Sequence, residues 1–169
     1  MTLHLVRHGR AMVEQGRPAA TWSLDPAGFD DVWALRDQLP QHAAWFTSPE
    51  PRAVETAQLL TDAPVGIIDA LREQERGSGW VDDLPDAVRR AFAHPDEPAA
   101  PGWEPVVLCR RRVVAAVRPV LAAHPADDVV LVGHGTAWTA LVAELSGAEP
   151  DLERLLRLAS PDVLRVEVA

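Results

Sequence analysis

Apolar residues recur along this chain in two rhythms, every second position in short runs and every third or fourth in longer ones, and the two alternate from end to end. Leu3-His4-Leu5-Val6 is short, apolar and alternating; it predicts a strand and runs directly into Arg7-His8-Gly9. Asp25 before Pro26 marks a helix start, and Phe29, Val32, Leu35 and Leu39 then recur at helical spacing until Pro40 stops them. A second short strand fits residues 43–47. Ser48 next caps a helix with Pro49 at its first position, Arg52 in its first turn, and Ala53, Ala57 and Leu60 along one face. A brief strand at 65–68 gives way to Leu71-Arg72-Glu73-Gln74-Glu75-Arg76-Gly77-Ser78-Gly79-Trp80, polar and glycine-bearing, which reads as a loop. Prolines at 85, 95, 98, 101 and 105 make residues 81–105 an irregular excursion with room for one short helix at 85–92. Val106, Val113, Val117 and Leu121 restore helical periodicity, with Pro119 a possible kink. Val129-Val130-Leu131-Val132 is apolar throughout, as a central strand covered on both faces requires, and ends in Gly133-His134-Gly135 before a helix at 136–145. Residues 163–168 alternate again, as a half-buried edge strand does.

Strands alternating with helices predict an α/β fold: a three-layer α/β/α sandwich with a mostly parallel central sheet. Ligands in such sheets sit beyond the carboxyl ends of the strands, where both strand-to-His-Gly segments place their histidines. The chain is expected to form one domain over 1–169, with the excursion at about 81–105 lying over it. Its 169 residues, 47% hydrophobic and 24% charged, suit a single soluble core. The start Met1-Thr2-Leu3-His4 has no basic leader, and no stretch approaches the roughly 18 apolar residues of a membrane span, so the expected location is the cytoplasm.

Charge narrows the chemistry. A net −9 argues against nucleic acid or an anionic membrane as partner, and an anionic substrate needs a locally basic pocket. All 16 basic residues are arginine, so Schiff-base chemistry and a phosphate-loop lysine are excluded, and any phosphate must be held by arginine. Cys109 is the only cysteine and reads as a small buried hydrophobe. His4, His42, His94 and His124 have no metal-ligand spacing, and there is no Gly-x-Ser-x-Gly elbow or dinucleotide glycine fingerprint.

Four segments then stand out in order. Leu5-Val6-Arg7-His8-Gly9, Ser48-Pro49-Glu50-Pro51-Arg52-Ala53-Val54-Glu55-Thr56-Ala57, Leu71-Arg72-Glu73 with Gly77, and Val132-Gly133-His134-Gly135 resemble the motifs of the histidine phosphatase superfamily, the phosphoglycerate-mutase-like family; Leu24 with Gly28 fits the helix start between the first two. That resemblance implies the phosphoglycerate-mutase-like fold, His8 as nucleophile, and Arg7, Arg52 and His134 as holders of the phosphoryl oxygens. It also implies Glu73 as proton donor to the leaving oxygen and later activator of water, with no metal or cofactor. Glu75 is the alternative acid. The physical requirements agree: two guanidinium forks and an imidazolium neutralise charge on three phosphoryl oxygens, and a histidine near its ordinary pKa of about 6.5, pushed further toward neutral by arginines, is nucleophilic. Gly9 and Gly135 are expected to let backbone approach the phosphate.

The expected reaction is hydrolysis of a phosphomonoester on a small phosphorylated substrate. The chain is short beside the superfamily's mutases and carries Arg10-Ala11 where an acidic or polar residue and a hydroxyl are usual. The alternatives are phosphoglycerate-mutase-type transfer, a protein-phosphohistidine phosphatase, and a non-catalytic phospho-ligand-binding domain. Side chains from 10–23 and 81–105 choose the substrate, and Trp80 and Trp103 are candidates to wall its organic end. Arg110-Arg111-Arg112 reads as a solvated helix face, one member of which could reach the pocket rim. Oligomeric state is not legible.

Overall fold

The computed structural model describes residues 1–168. Five strands, β1 (Thr2–Arg7), β2 (Ala44–Thr47), β3 (Val65–Ile67), β4 (Val129–Gly133) and β5 (Asp162–Glu167), form one sheet in the order β3-β2-β4-β1-β5. β1, β2, β3 and β4 run parallel, and β5 pairs antiparallel to β1 at the edge. The helices are α1 (Phe29–Trp33), α2 (Pro51–Leu60), α3 (Leu84–Ala93), α4 (Val106–Ala123), α5 (Gly135–Ser146) and α6 (Leu152–Arg157).

Side-chain alternation sorts the core into two layers. Leu3, Leu5, Val129 and Leu131 face α4 and α5, where they meet Cys109, Val113, Val117, Trp138 and Leu141. Val6, Val130, Val132 and Trp45 face the other way, onto Val32 of α1 and Ala53, Ala57 and Leu60 of α2. Pairing Leu3 with Val129 and Leu5 with Leu131 keeps each face in phase. The expected three-layer α/β/α sandwich is therefore the observed architecture. A third, smaller cluster joins Ala87 and Val88 of α3 to Trp103, Leu155 and Leu158, and so ties the excursion to α6.

Late insertion of β4 between β2 and β1 decides what meets at the carboxyl edge. The ladder runs one residue past the strand ends: the His8 amide donates to the Gly133 carbonyl at 2.9 Å and the Ser48 amide to that of Val132 at 2.9 Å. Segments far apart in sequence are thereby held side by side.

Two helix predictions need correction. The helix expected from Asp25 to Leu39 is broken into a 3₁₀ turn (Pro26–Gly28), the five-residue α1 and a second 3₁₀ turn (Arg36–Gln38). Asp25 does cap it, accepting from the Ala27 amide at 2.9 Å, but Phe29 stays 39% exposed. With only Val32 and Leu39 of the stripe fully buried, no continuous face rewards an unbroken helix. Helix α2 begins two residues later than expected, with Glu50 as its cap and Pro51 at its first position, because the Ser48 amide is still committed to the sheet. α6 was not expected at all; six residues are too few for periodicity to show. The short helix in the excursion is α3, and β5 is the predicted edge strand. Among the described residues no helix is long and apolar enough to cross a membrane.

Candidate active site

At the carboxyl edge the rings of His8 and His134 lie edge to face, their centroids 5.3 Å apart. Arg52, the second residue of α2, reaches both: its Nε donates to His8 Nε2 at 3.0 Å and its Nη2 to His134 Nδ1 at 3.3 Å. Those contacts fix both tautomers, since a guanidinium only donates. His8 Nδ1 is 2.7 Å from the Gly9 carbonyl and so carries the proton, leaving the Nε2 lone pair directed at Arg52. His134 uses Nδ1 as acceptor and donates from Nε2 to Ser48 Oγ at 2.8 Å. Arg52 also donates to the Ala19 carbonyl and forms an ion pair at 2.5 Å with the buried Glu50.

Burial, more than charge, sets protonation here. Desolvation, then the Arg52 guanidinium and the weaker effect of Arg7, pull the His8 imidazole down to about 3, despite the opposing Gly9 hydrogen bond. His134 is lowered too, by burial first and then by Arg52 and His8. The expected direction for His8 holds, but its first cause is burial and not the arginines, and His134 is a neutral ring instead of the expected imidazolium. Burial raises the Glu50 carboxyl, against the pull of Arg52.

These shifts fix the sign of an acid-stability effect. In the unfolded chain both histidines titrate near 6.5, so below that pH the unfolded state takes up protons that the folded state refuses. Stability is therefore full above pH 6.5 and falls as pH drops toward about 3, by about 1.4 kcal/mol per pH unit for His8 once well below 6.5. Thermal melts between pH 7.5 and 5 should show a falling midpoint, flatter in His8→Ala. A flat wild-type midpoint over that window would contradict the buried neutral pair.

Glu73 stands across the pocket. Its Oε1 accepts from the amides of Ala137 (2.9 Å) and Gln74 (3.0 Å), and its Oε2 from that of Thr136 (3.2 Å), so the carboxylate sits on the first turn of α5, where the helix end favours an anion. Its own amide donates to Glu50 Oε1 at 2.9 Å. Glu75 points outward and pairs with Arg72 at 3.3 Å. Arg112 braces the loop from α4, donating to the carbonyls of Ala70, Arg72 and Glu73 at 2.7–2.8 Å and pairing with Glu104 at 2.8 Å. Of the run 110–112, Arg112 is thus the member that turns from the solvated face to the pocket loop.

Arg7 takes the other flank. Its Nη1 donates to the Leu158 carbonyl at 2.5 Å, its Nε is buried without a partner among the described residues, and it lines a cavity with Glu73, Arg76, Gly135 and Thr136. The two glycines have a packing reason of their own. A Cβ on Gly9 would overlap Val32 Cγ2 and come within 2.8 Å of Leu24 Cδ1, and the Gly9 amide is used on Thr56 Oγ1 at 3.0 Å. A Cβ on Gly135 would press on Leu155 Cδ1 at 3.0 Å, although this glycine does face Arg7 Nε.

Sequence reasoning missed Glu50, Ser48 and Arg76. Glu50 and Ser48 lie within the matched second segment, and a carboxylate two residues before a pocket arginine was the available signal. Arg76 stacks 4.9 Å over Trp103 and donates to Thr136 Oγ1 at 2.8 Å; nothing in its local sequence marks it. Cys109 is buried, and burial pushes its thiol up, which leaves it as core. Among the described residues no group of three or more His, Cys, Asp or Glu is placed to hold a metal ion.

The sequence matches the profile of the histidine phosphatase superfamily (branch 1) over residues 3–169. It is 29% identical over 126 residues to the uncharacterized phosphatase PhoE of Bacillus subtilis (strain 168), a stretch that is 73% of this chain and 63% of that protein. The chain thus spans less than two thirds of the length of that curated relative. Among solved structures it resembles Bacillus stearothermophilus YhfR (TM-score 0.79, 26% identity, 99% of this chain and 91% of that one). It also resembles the mycobacterial glucosyl-3-phosphoglycerate phosphatase in complex with VO3 (TM-score 0.79, 25% identity, 98% and 92%). With the profile spanning all but the first two residues, the chain belongs to the histidine phosphatase superfamily, branch 1.

Proposed function

We propose that this protein is a phosphatase that hydrolyses a small phosphomonoester, without a metal, through a phosphohistidine on His8. The observation that carries this reading is the tautomer of His8: with Nδ1–H given to the Gly9 carbonyl, the Nε2 lone pair stands between Arg52 and His134 as a neutral nucleophile. The named phosphatases among its relatives, one of them in complex with VO3, support the same reaction class.

The steps balance with the residues at hand. His8 Nε2 attacks phosphorus as the bond to the bridging oxygen breaks, and Glu73, taking the proton that a monoanionic phosphoryl group brings in, passes it to the departing oxygen. Arg52 transfers its N–H groups from His8 and His134 to the phosphoryl oxygens, and the free Nε of Arg7 supplies a further donor. Glu73, now a carboxylate, takes a proton from water, the hydroxide attacks phosphorus, and the bond to His8 breaks to release inorganic phosphate. Water enters over the cavity of Arg52 and Glu73, whose rim residues Glu75, Gly77 and Ser78 are exposed; this favours hydrolysis over retention of the phosphohistidine for mutase transfer.

The test is turnover of p-nitrophenyl phosphate between pH 5 and 8 with and without EDTA. Equal rates in both are expected. Loss with EDTA and recovery with a divalent ion would contradict the mechanism, and no turnover with phosphate still bound would favour the non-catalytic phospho-ligand binder.

A further inference from the structure

Beside the phosphoryl pocket lies a second cavity of about 310 Å³, walled by Trp22, Trp80, Trp103, Val13, Leu84 and Pro85. It is continuous with the cavity over Arg52 and Glu73, because Ala19, Arg76, Gly77 and Ser78 line both. A ligand whose phosphoryl group sits at His8 and whose bridging oxygen meets Glu73 would therefore extend its organic part into this space.

Three charged residues line it. Arg17 is bonded to both carboxylate oxygens of Glu14 at 3.0 and 3.1 Å, and Arg76, bonded to Thr136 and stacked on Trp103, keeps its Nε without a partner among the described residues. Asp82 is the third and opposes a second anionic group. Trp22 spends its indole N–H on the Glu14 carbonyl at 3.2 Å, which leaves only ring surface to offer. Most of the remaining wall is indole, valine, leucine and proline surface, against which an aromatic or aliphatic group removes apolar surface from water on both sides.

We propose that this tryptophan-walled cavity is the leaving-group subsite, and that the substrate is a phosphate ester of an uncharged, apolar alcohol of about the size of a phenyl ring with a short chain. The proposal rests on the phosphatase reading, since it assigns the organic half of the same ligand.

Binding and turnover separate the two. In the binding arm, 2-phenylethylphosphonate, methylphosphonate and 2-carboxyethylphosphonate, none hydrolysable, are titrated against wild type, Trp80→Ala and Leu84→Glu. Trp80 is 55% exposed and Leu84 42%, so neither change empties the core. Wild type should bind the phenylethyl compound about tenfold or more tighter than the other two, both variants should lose that preference, and Trp80→Ala should bind methylphosphonate within about twofold of wild type. In the turnover arm, kcat/KM is compared for 2-phenylethyl phosphate and glycerol 3-phosphate, both alkyl esters, so that leaving-group acidity contributes little; the same preference is expected. Equal binding of the three phosphonates, preference for the carboxylate, or a preference unmoved by both substitutions would overturn the subsite. No turnover of either ester with the binding preference intact would overturn the phosphatase reading and leave the subsite standing.

Discussion

His8→Ala should turn over p-nitrophenyl phosphate at least about 10³-fold more slowly than wild type, and it should carry no alkali-stable, acid-labile phosphoryl label. The size of the effect follows from the geometry. Arg52, which already donates to His134, and the hydroxyl of Ser48 cannot replace a neutral ring nitrogen whose lone pair meets the Arg52 Nε. The variant should still fold, because position 8 is tied in through its backbone amide to Gly133 and the imidazole itself is a buried group that costs stability in acid. It should also still bind inorganic phosphate or vanadate, since Arg7, Arg52 and His134 remain. Activity within tenfold of wild type would show that another group takes the phosphoryl, and loss of anion binding together with activity would point to a collapsed pocket instead of a missing nucleophile.

How much of this could be read from sequence depends on the range of the interaction concerned. Strands β1, β2 and β4 were legible because each is a short apolar run broken by a turn signal, and the alternation of strand and helix fixed the layers. Their order was not, since insertion of β4 between β2 and β1 rests on long-range pairing such as Val6 with Val132, for which the local pattern holds no mark. At the site, His8, Arg52 and His134 were nominated from ordered motifs and do meet, while Arg7, nominated beside them, gives Nη1 to Leu158 and keeps its Nε without a partner among the described residues. Glu50 escaped notice because a carboxylate in the first turn of the expected helix reads as solvent-facing; only the tertiary fold puts it at 5% exposure against Arg52. For Arg112 the sequence allowed that one arginine of the run of three could reach the pocket rim but held no mark of which one, since that depends on how α4 lies against the Glu73 loop. The broken helix after Asp25 shows the limit of periodicity: spacing was right, yet too little of the stripe is buried to sustain it.

Glu73→Gln should divide substrates by leaving group. For an alkyl phosphate such as 2-phenylethyl phosphate, whose alkoxide departs only with a proton, kcat/KM should fall by about 10² to 10³; for p-nitrophenyl phosphate, whose phenolate leaves unaided, it should fall by less than about tenfold. The amide keeps the volume of the side chain and can still accept from Ala137 and Gln74 through one oxygen, but its NH₂ must face the Thr136 amide, which now donates to Oε2 at 3.2 Å. Some loosening of the loop is therefore built into the variant. It is separable from lost proton transfer, because displacement of the loop would slow both esters alike whereas a missing acid slows chiefly the poor leaving group. Glu75→Gln supplies the contrast: Glu75 is exposed at the rim of the cavity and engaged with Arg72, so both esters should react within about twofold of wild type. Should Glu75→Gln show the leaving-group signature and Glu73→Gln not, the acid belongs to the other carboxylate; should Glu73→Gln slow both esters equally, Glu73 only positions the first turn of α5 and the proton comes from elsewhere.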